Sequence, residues 1–92
     1  MIKRLRLQVF GKVQTVGYRY KTRTTAECLG LTGYVKNLDD GSVLVLAEGK
    51  KTDLIKLLQA SQLGPRAARV DKIIKSWENA TNQFTDFKII TT

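Results

Sequence analysis

Residues 4–30 read RLRLQVFGKVQTVGYRYKTRTTAECLG, and this stretch contains one strand, one loop and one helix. Apolar side chains alternate with polar ones over residues 4–10, which predicts a half-buried strand. Residues 11–17 contain two glycines and no periodicity, so we expect a loop. Residues 18–29 then predict a helix, with Gly30 as its C-terminal stop.

The remaining pattern predicts four more strands and one more helix. In chain order, these are strands over residues 32–38 and 42–47, a helix over 52–62, and strands over 68–77 and 84–90. Asp39-Asp40-Gly41 predicts a hairpin turn, because glycine adopts positive φ without steric cost. Thr52 is expected to cap the second helix. Ile73-Ile74 interrupts the alternation of its strand and indicates a bulge.

This order, β-α-β-β-α-β with a short extra strand at the end, predicts an α+β fold. It is the ferredoxin-like split βαβ arrangement, in which one mixed, mostly antiparallel sheet carries both helices on one face. The 92 residues are expected to form a single domain over residues 1–92. The first two strands run parallel in this arrangement. The loop after the first strand should therefore open beside Asn37, at the end of the second.

Composition limits the chemistry that the chain can perform. It contains no histidine and a single cysteine, Cys28. Without imidazole there is no Ser-His or Cys-His nucleophile, and a metal site is not expected. One thiol forms no internal disulfide, which predicts a cytoplasmic protein, and Cys28 is expected to be buried or half-buried. No stretch is apolar enough to span a membrane. The net charge of +8 attracts anions without choosing among phosphates, nucleic acids and acidic proteins.

The loop from Gly11 to Arg19 has features that suit a phosphate. Its glycines permit the backbone angles of an anion-binding nest, and it leads into the unpaired N–H groups of a helix start. Arg19 adds a guanidinium that can bond two phosphate oxygens. Structural interpretations stay open at this point. Turn glycines are usually structural, Arg19 could be a solvated charge, and Asn37 could belong to turn chemistry.

Two signatures in the sequence resemble the acylphosphatase family. Residues 9–19 are similar to the family's loop, commonly written V-x-G-x-V-Q-G-V-G-F-R. Residues 33–37, with 40–43 and 47–49, resemble its second signature. Residues 64–65, 68–70 and 87–89 fit its C-terminal part. The similarity runs in order over nearly the whole chain.

The resemblance implies an enzyme that hydrolyses the carboxyl-phosphate anhydride of a small-molecule acyl phosphate, with no metal and no cofactor. It implies that Arg19 binds the phosphate and that Asn37 positions the attacking water, which makes these two the expected catalytic residues. The loop is expected to bind the phosphate through backbone N–H groups. Its residues are Gln14, Thr15, Val16, Gly17 and Tyr18.

Three positions depart from the family pattern. Thr15 stands where glycine is usual, and a positive φ there would cost about 1–2 kcal/mol. Tyr18 replaces phenylalanine, so its hydroxyl needs a partner. Leu44 replaces a charged residue on the expected outer face of the sheet. Gln14 could serve only to tie the loop to itself.

Two other functions are compatible with this fold. An RNA-recognition domain shares the fold, but strand three has no aromatic side chain and strand one offers only Phe10, so nucleic-acid binding ranks well below the enzyme. The second alternative is a degenerate relative that binds protein and whose loop is spoiled by Thr15; an exposed Leu44 would fit it. The chain is expected to be a monomer.

Overall fold

The computed structural model describes residues 2–91. Its elements are β1 (Ile2–Lys12), α1 (Tyr18–Cys28), β2 (Thr32–Asn37), β3 (Val43–Lys50), α2 (Lys51–Leu63), β4 (Arg69–Asn79) and β5 (Phe87–Ile90). The strands form one sheet in the order β4-β1-β3-β2-β5. Neighbouring strands are antiparallel except for β2 and β5, which are parallel. The predicted ferredoxin-like fold is confirmed, including the short extra strand.

The core lies between one face of the sheet and the two helices. Alternate residues of the central strands β1 and β3 point to this face and are fully buried, as the pleat of a strand requires. They are Leu5, Leu7, Val9, Val43, Val45 and Ala47. The helix α2 adds an apolar stripe of Leu54, Leu57 and Leu58. Removing this apolar surface from water is the main driving force for the fold.

Gly30 ends α1 as predicted. It has φ 71°, its N–H donates to the Glu27 carbonyl at 3.0 Å, and the Leu31 N–H donates to the Ala26 carbonyl at 2.9 Å. This is the Schellman arrangement, which satisfies carbonyls at a helix end. The last helical residue, Cys28, is exposed. The prediction that Cys28 is buried or half-buried is therefore wrong, since Ala26 is the residue of this turn that faces the core.

The predicted cap of α2 is also wrong. Strand β3 continues past Gly49 to Lys50, and α2 begins at Lys51, so strand and helix adjoin directly. The capping position falls on Lys50, which makes no side-chain hydrogen bond to the helix. Thr52 already lies inside the first turn.

The bulge of β4 lies elsewhere than predicted. Phe10 pairs with Lys72 and Gly11 pairs with Val70, so Asp71 is the extra residue. Ile73 and Ile74 keep regular pairing with β1. The shift occurs at Gly11, where φ is 132° and a Cβ would overlap the carbonyl oxygen of Arg69. Only a glycine allows the two backbones to approach this closely.

The outer face of the sheet carries a buried carboxylate, Glu48, with an exposed fraction of 3%. It accepts hydrogen bonds from Arg4 Nε at 2.9 Å, from Thr81 N–H at 2.8 Å and hydroxyl at 3.0 Å, and from Asn82 N–H at 2.9 Å. Burial raises the pKa of this carboxyl, but the hydrogen bonds outweigh burial and hold the pKa below its ordinary value. The contacts fasten residues 80–86 across the outer face. We call this group the Glu48 cluster.

Side chains on the outer face cover one another. Tyr34 packs edge-on against Phe84, with ring centroids 5.9 Å apart. Leu44, which the second alternative treated as exposed, is half-buried. It is paired with Gln8 on one side and Lys36 on the other. An exposed Leu44, the feature that would fit that alternative, is therefore not found.

Candidate active site

The sheet topology brings the end of β1 and the end of β2 to one edge. Strand β3 is antiparallel to both, so β1 and β2 run in the same direction. Val43 pairs with Val9 on one side and with Asn37 on the other. Asn37 therefore lies two strand spacings, about 10 Å, from Val9, which is three residues before the end of β1.

Gln14 connects the loop to the turn that follows Asn37. Its Nε2 donates to the Leu38 carbonyl at 2.8 Å and to the Ser42 carbonyl at 2.9 Å. Gln14 thus joins two separate segments, whereas the sequence left open that it ties the loop only to itself. Gly41, with φ 91°, closes the turn by donating its N–H to Leu38 at 3.1 Å. This agrees with the predicted hairpin.

The loop presents a run of backbone donors without acceptors. Among residues 2–91, no backbone hydrogen bond uses the N–H of Gln14, Thr15, Val16, Gly17 or Tyr18. Gly17 is the N-cap of α1, with φ 83° and no side-chain cap. Unpaired N–H groups at a helix start, preceded by left-handed residues, are the arrangement that binds anions in many proteins.

Thr15 occupies the left-handed region, with φ 61°. The positive φ therefore strains the Thr15 backbone by about 1–2 kcal/mol relative to glycine. Its side chain is exposed, and its hydroxyl donates to the Gln14 carbonyl at 2.6 Å. This hydroxyl is engaged with its own chain.

Tyr18 fixes the start of α1 against α2. The ring is 1% exposed, and the hydroxyl donates to the Ser61 carbonyl at 2.7 Å. Burial raises the pKa of the Tyr18 hydroxyl to about 12, although the contact with Ser61 acts in the opposite direction. A Cβ on Gly64 would lie 3.0 Å from the ring, so glycine there leaves room for it. The hydroxyl has the partner that burial requires, and only the backbone of Tyr18 is left to meet a ligand.

Arg19 and Asn37 lie at the same edge. The Arg19 side chain is half-buried, and its Nη1 donates to the Ile90 carbonyl at a long 3.4 Å. Ile90 is paired with Lys36, the residue before Asn37. The Asn37 Oδ1 atom is buried and accepts no hydrogen bond from residues 2–91. An acceptor in this state needs a donor from outside the described chain.

A cavity of about 140 Å³ opens beside Arg19. This is the share of roughly four to five water molecules, enough for a tetrahedral anion. Its walls are formed by Val13, Thr15, Gly17, Tyr18, Arg19, Tyr20 and Ile89.

Two residues were not predicted from the sequence: Tyr20, which lines this cavity, and Arg23, which contacts Tyr20 but is not part of the lining. Tyr20 is 63% exposed, and the Arg23 guanidinium carbon lies 5.3 Å from the centroid of its ring. The spacing of four residues between Arg19 and Arg23, which places both on one helix face, was the available signal.

Residues 2–91 contain neither a cluster of metal ligands nor a helix that could cross a membrane. No group of three or more His, Cys, Asp or Glu side chains is arranged to hold a metal ion. Neither helix has the length and apolar content needed to cross a membrane.

Comparison with known proteins agrees with the geometry. The family profile described as Acylphosphatase matches residues 5–89. An acylphosphatase from Acaryochloris marina is 45% identical over 86 residues, which cover 94% of this chain and 91% of the relative. The crystal structure of acylphosphatase from Bacillus subtilis superposes with a TM-score of 0.92 at 34% identity, covering 98% of this chain and 99% of the other. An acylphosphatase from Coxiella burnetii gives 0.90 at 34% identity, with coverage of 97% and 93%. The chain belongs to the acylphosphatase family, as its sequence signatures indicated.

Proposed function

We propose that the protein hydrolyses acyl phosphates to a carboxylate and inorganic phosphate. One observation carries the proposal: five consecutive backbone N–H groups that find no acceptor in the described part of the chain lie at the start of α1, next to the half-buried Arg19. Membership of the acylphosphatase family supports the same reaction. The leaving group is a carboxylate whose free acid has a pKa of about 4, so its departure needs no general acid. A chain without histidine can therefore catalyse this step.

The phosphoryl group is bound by charge and hydrogen bonding. The N–H groups from Gln14 to Tyr18 donate to its oxygens, and Arg19 supplies the guanidinium. Charge on these oxygens is stabilised by donors that are already fixed in place, which is the main means of catalysis in phosphoryl transfer. Gln14 and the buried Tyr18 ring support this geometry, since each fastens one end of the loop to a neighbouring element.

Asn37 positions the attacking water. Its buried Oδ1 lacks a donor among residues 2–91, a condition that costs about 1–3 kcal/mol. A water that donates to this oxygen removes the cost, and the amide NH2 can donate to the same water. Alignment of this kind lowers a barrier by several kcal/mol, up to about 7–11 in ideal cases.

Other parts of the proposal concern partners and location. The substrate is a small molecule, and the reaction as proposed uses no metal and no cofactor, because Arg19 and the loop meet the phosphate charge. The cytoplasmic location and the monomeric state stay predictions. Nucleic-acid binding also stays a lower-ranked alternative.

The test is hydrolysis of acetyl phosphate and benzoyl phosphate by the purified protein with EDTA present. We expect turnover to be unchanged by the chelator and inorganic phosphate to inhibit competitively. The rate should vary little between about pH 5 and 7, since no imidazole takes part. A correctly folded sample that leaves both compounds intact would disprove the proposal. A steep bell-shaped profile in this range would show that the residues are wrongly assigned.

A further inference from the structure

We propose that Arg23 and Tyr20 form a subsite for the acyl group, and that the preferred substrates are acyl phosphates whose acyl group carries a second anion. The inference rests on the proposed function, because it takes the phosphate to be bound beside Arg19. It adds a substrate class and two residues that select it.

The position of the two side chains is the first argument. Arg19 and Arg23 are four residues apart in α1, so their Cβ atoms lie about 5–6 Å apart on one face. Between them, Tyr20 lines the cavity beside Arg19 and exposes 63% of its surface. Arg23 lies over this ring, with its guanidinium carbon 5.3 Å from the centroid. A substrate that extends from the phosphate along α1 therefore meets an aromatic ring and then a second guanidinium.

The lack of an ion pair at Arg23 within residues 2–91 is the second argument. Within residues 2–91, ion pairs involve Arg4, Arg6 and Arg69, and none involves Arg23. The acidic residue one turn further along α1, Glu27, lies outside ion-pair distance of it. The Arg23 Nε is buried and has no hydrogen-bond partner in the same residues. A ligand cannot reach this covered nitrogen, so a planar or tetrahedral anion would bind to the two terminal nitrogens of the guanidinium, which form no ion pair within residues 2–91.

The spacing determines which anion can reach it. One turn of helix rises about 5.4 Å, so the second anionic group must stand about three to five bonds from the anhydride carbonyl. A benzoyl group with a carboxylate at the meta position meets this requirement and lays its ring near Tyr20. The competing explanation is that the site prefers an aromatic acyl group whether or not this group carries a second anion. The experiment distinguishes the two.

The experiment measures kcat/KM for acetyl phosphate, benzoyl phosphate and 3-carboxybenzoyl phosphate. The last two differ only in the carboxylate, so their ratio isolates the contribution of the second anion. We expect a ratio of about fivefold to tenfold in the wild type, as for one partly exposed charge-assisted contact. Arg23→Gln should lower the ratio to about one while hydrolysis of acetyl phosphate persists. Arg23→Lys should give an intermediate ratio, since it keeps the charge without the planar donors.

Lys56→Gln is the matched control. It removes one positive charge from an exposed position of α2, and it should leave the ratio unchanged. If Lys56→Gln lowers the ratio as much as Arg23→Gln does, the overall charge of the protein attracts the substrate. This result would overturn the subsite.

The remaining outcomes are also decisive. A ratio near one in the wild type, or a ratio that Arg23→Gln leaves unchanged, overturns the inference while the proposed function stands. So does a preference for benzoyl over acetyl phosphate that Tyr20→Ala removes, if the carboxylate adds nothing. Hydrolysis of none of the three compounds would overturn the proposed function and this inference together. If Arg23→Gln fails to fold, the ratios of the wild type and of Arg23→Lys still decide.

Discussion

Two polar regions of the molecule differ in whether their hydrogen-bonding groups find partners within the protein. In the Glu48 cluster, one buried carboxylate receives donors from Arg4, Thr81 and Asn82. At the loop before α1, backbone donors have no acceptor and the Asn37 oxygen has no donor among residues 2–91. Buried polar groups normally find partners within the protein. The Glu48 carboxylate is hydrogen-bonded without a ligand, whereas the polar groups at the loop need a ligand or water to be hydrogen-bonded.

The two regions are also far apart. Arg4, which contacts Glu48, and Lys12, which leads into the loop, are separated by eight residues of β1, or about 26 Å. Sites this distant contribute independently to the free energy of unfolding. Substitutions in the loop region should therefore change activity more than stability, and those in the Glu48 cluster should do the reverse.

Arg19→Ala should have the largest effect. We expect kcat/KM for acetyl phosphate to fall by about 10³-fold, or about 4 kcal/mol of transition-state stabilisation. The free energy of unfolding should change by less than about 1 kcal/mol, because within residues 2–91 the Arg19 side chain gives up one hydrogen bond, the long contact with the Ile90 carbonyl. Steady-state kinetics and urea unfolding measure the two quantities. A large loss of stability with preserved activity would mean that Arg19 stabilises the fold and does not bind the phosphate.

Asn37→Ala should separate binding from turnover. We expect kcat to fall by about 10²-fold, with KM within about threefold of the wild-type value. Stability should be unchanged or slightly higher, since the change removes a buried oxygen without a donor. A raised KM with normal kcat would argue that Asn37 binds the phosphate and does not position water.

Glu48→Gln tests the other region. It should lower the free energy of unfolding at pH 7 by about 2–3 kcal/mol, because it removes a charge that four donors stabilise. The pKa of Glu48 is below its ordinary value of 4.5 in the folded protein. Its contribution is thus fully present above pH 4.5 and is lost as the pH falls through the folded-state pKa.

Urea unfolding at several pH values is the measurement for this variant. Below pH 4.5 the stability of the wild type should fall more steeply than that of Glu48→Gln, and kcat/KM at pH 7 should be the same for both. Parallel pH profiles would show that Glu48 is not the group that links stability to pH.

The sequence was sufficient for features that depend on local pattern. Alternation located the strands, and the glycines at positions 30 and 41 located a helix end and a turn. The order of the elements then placed Asn37 beside the loop. These inferences succeeded because side-chain period and glycine conformation act over a few residues.

Features that depend on distant partners could not be predicted. The bulge at Asp71 arises because Gly11 admits the backbone of β4, which lies about 60 residues away in the chain. The burial of Glu48 depends on Arg4 and on residues 80–86, which no local pattern connects. The role of Gln14 as a link between two segments likewise required the fold.

Thr15→Gly should have the smallest effect, and it is the most direct test of backbone strain within the loop. Threonine at φ 61° is strained by about 1–2 kcal/mol, and glycine regains this but loses about 0.5–1 kcal/mol through its more flexible unfolded chain. The net expectation is a gain in stability of about 0.5–1 kcal/mol, with kcat/KM within about threefold of wild type. Thr15→Ala is the matched control, since it removes the hydrogen bond to the Gln14 carbonyl and keeps the Cβ. The difference in unfolding free energy between the two variants is the backbone strain less the loss that glycine brings through its flexible unfolded chain. Equal stabilities would mean that the strain at position 15 is only about as large as the loss that glycine brings, about 0.5–1 kcal/mol. The unpaired donors would then be the main difference between the loop and the Glu48 cluster.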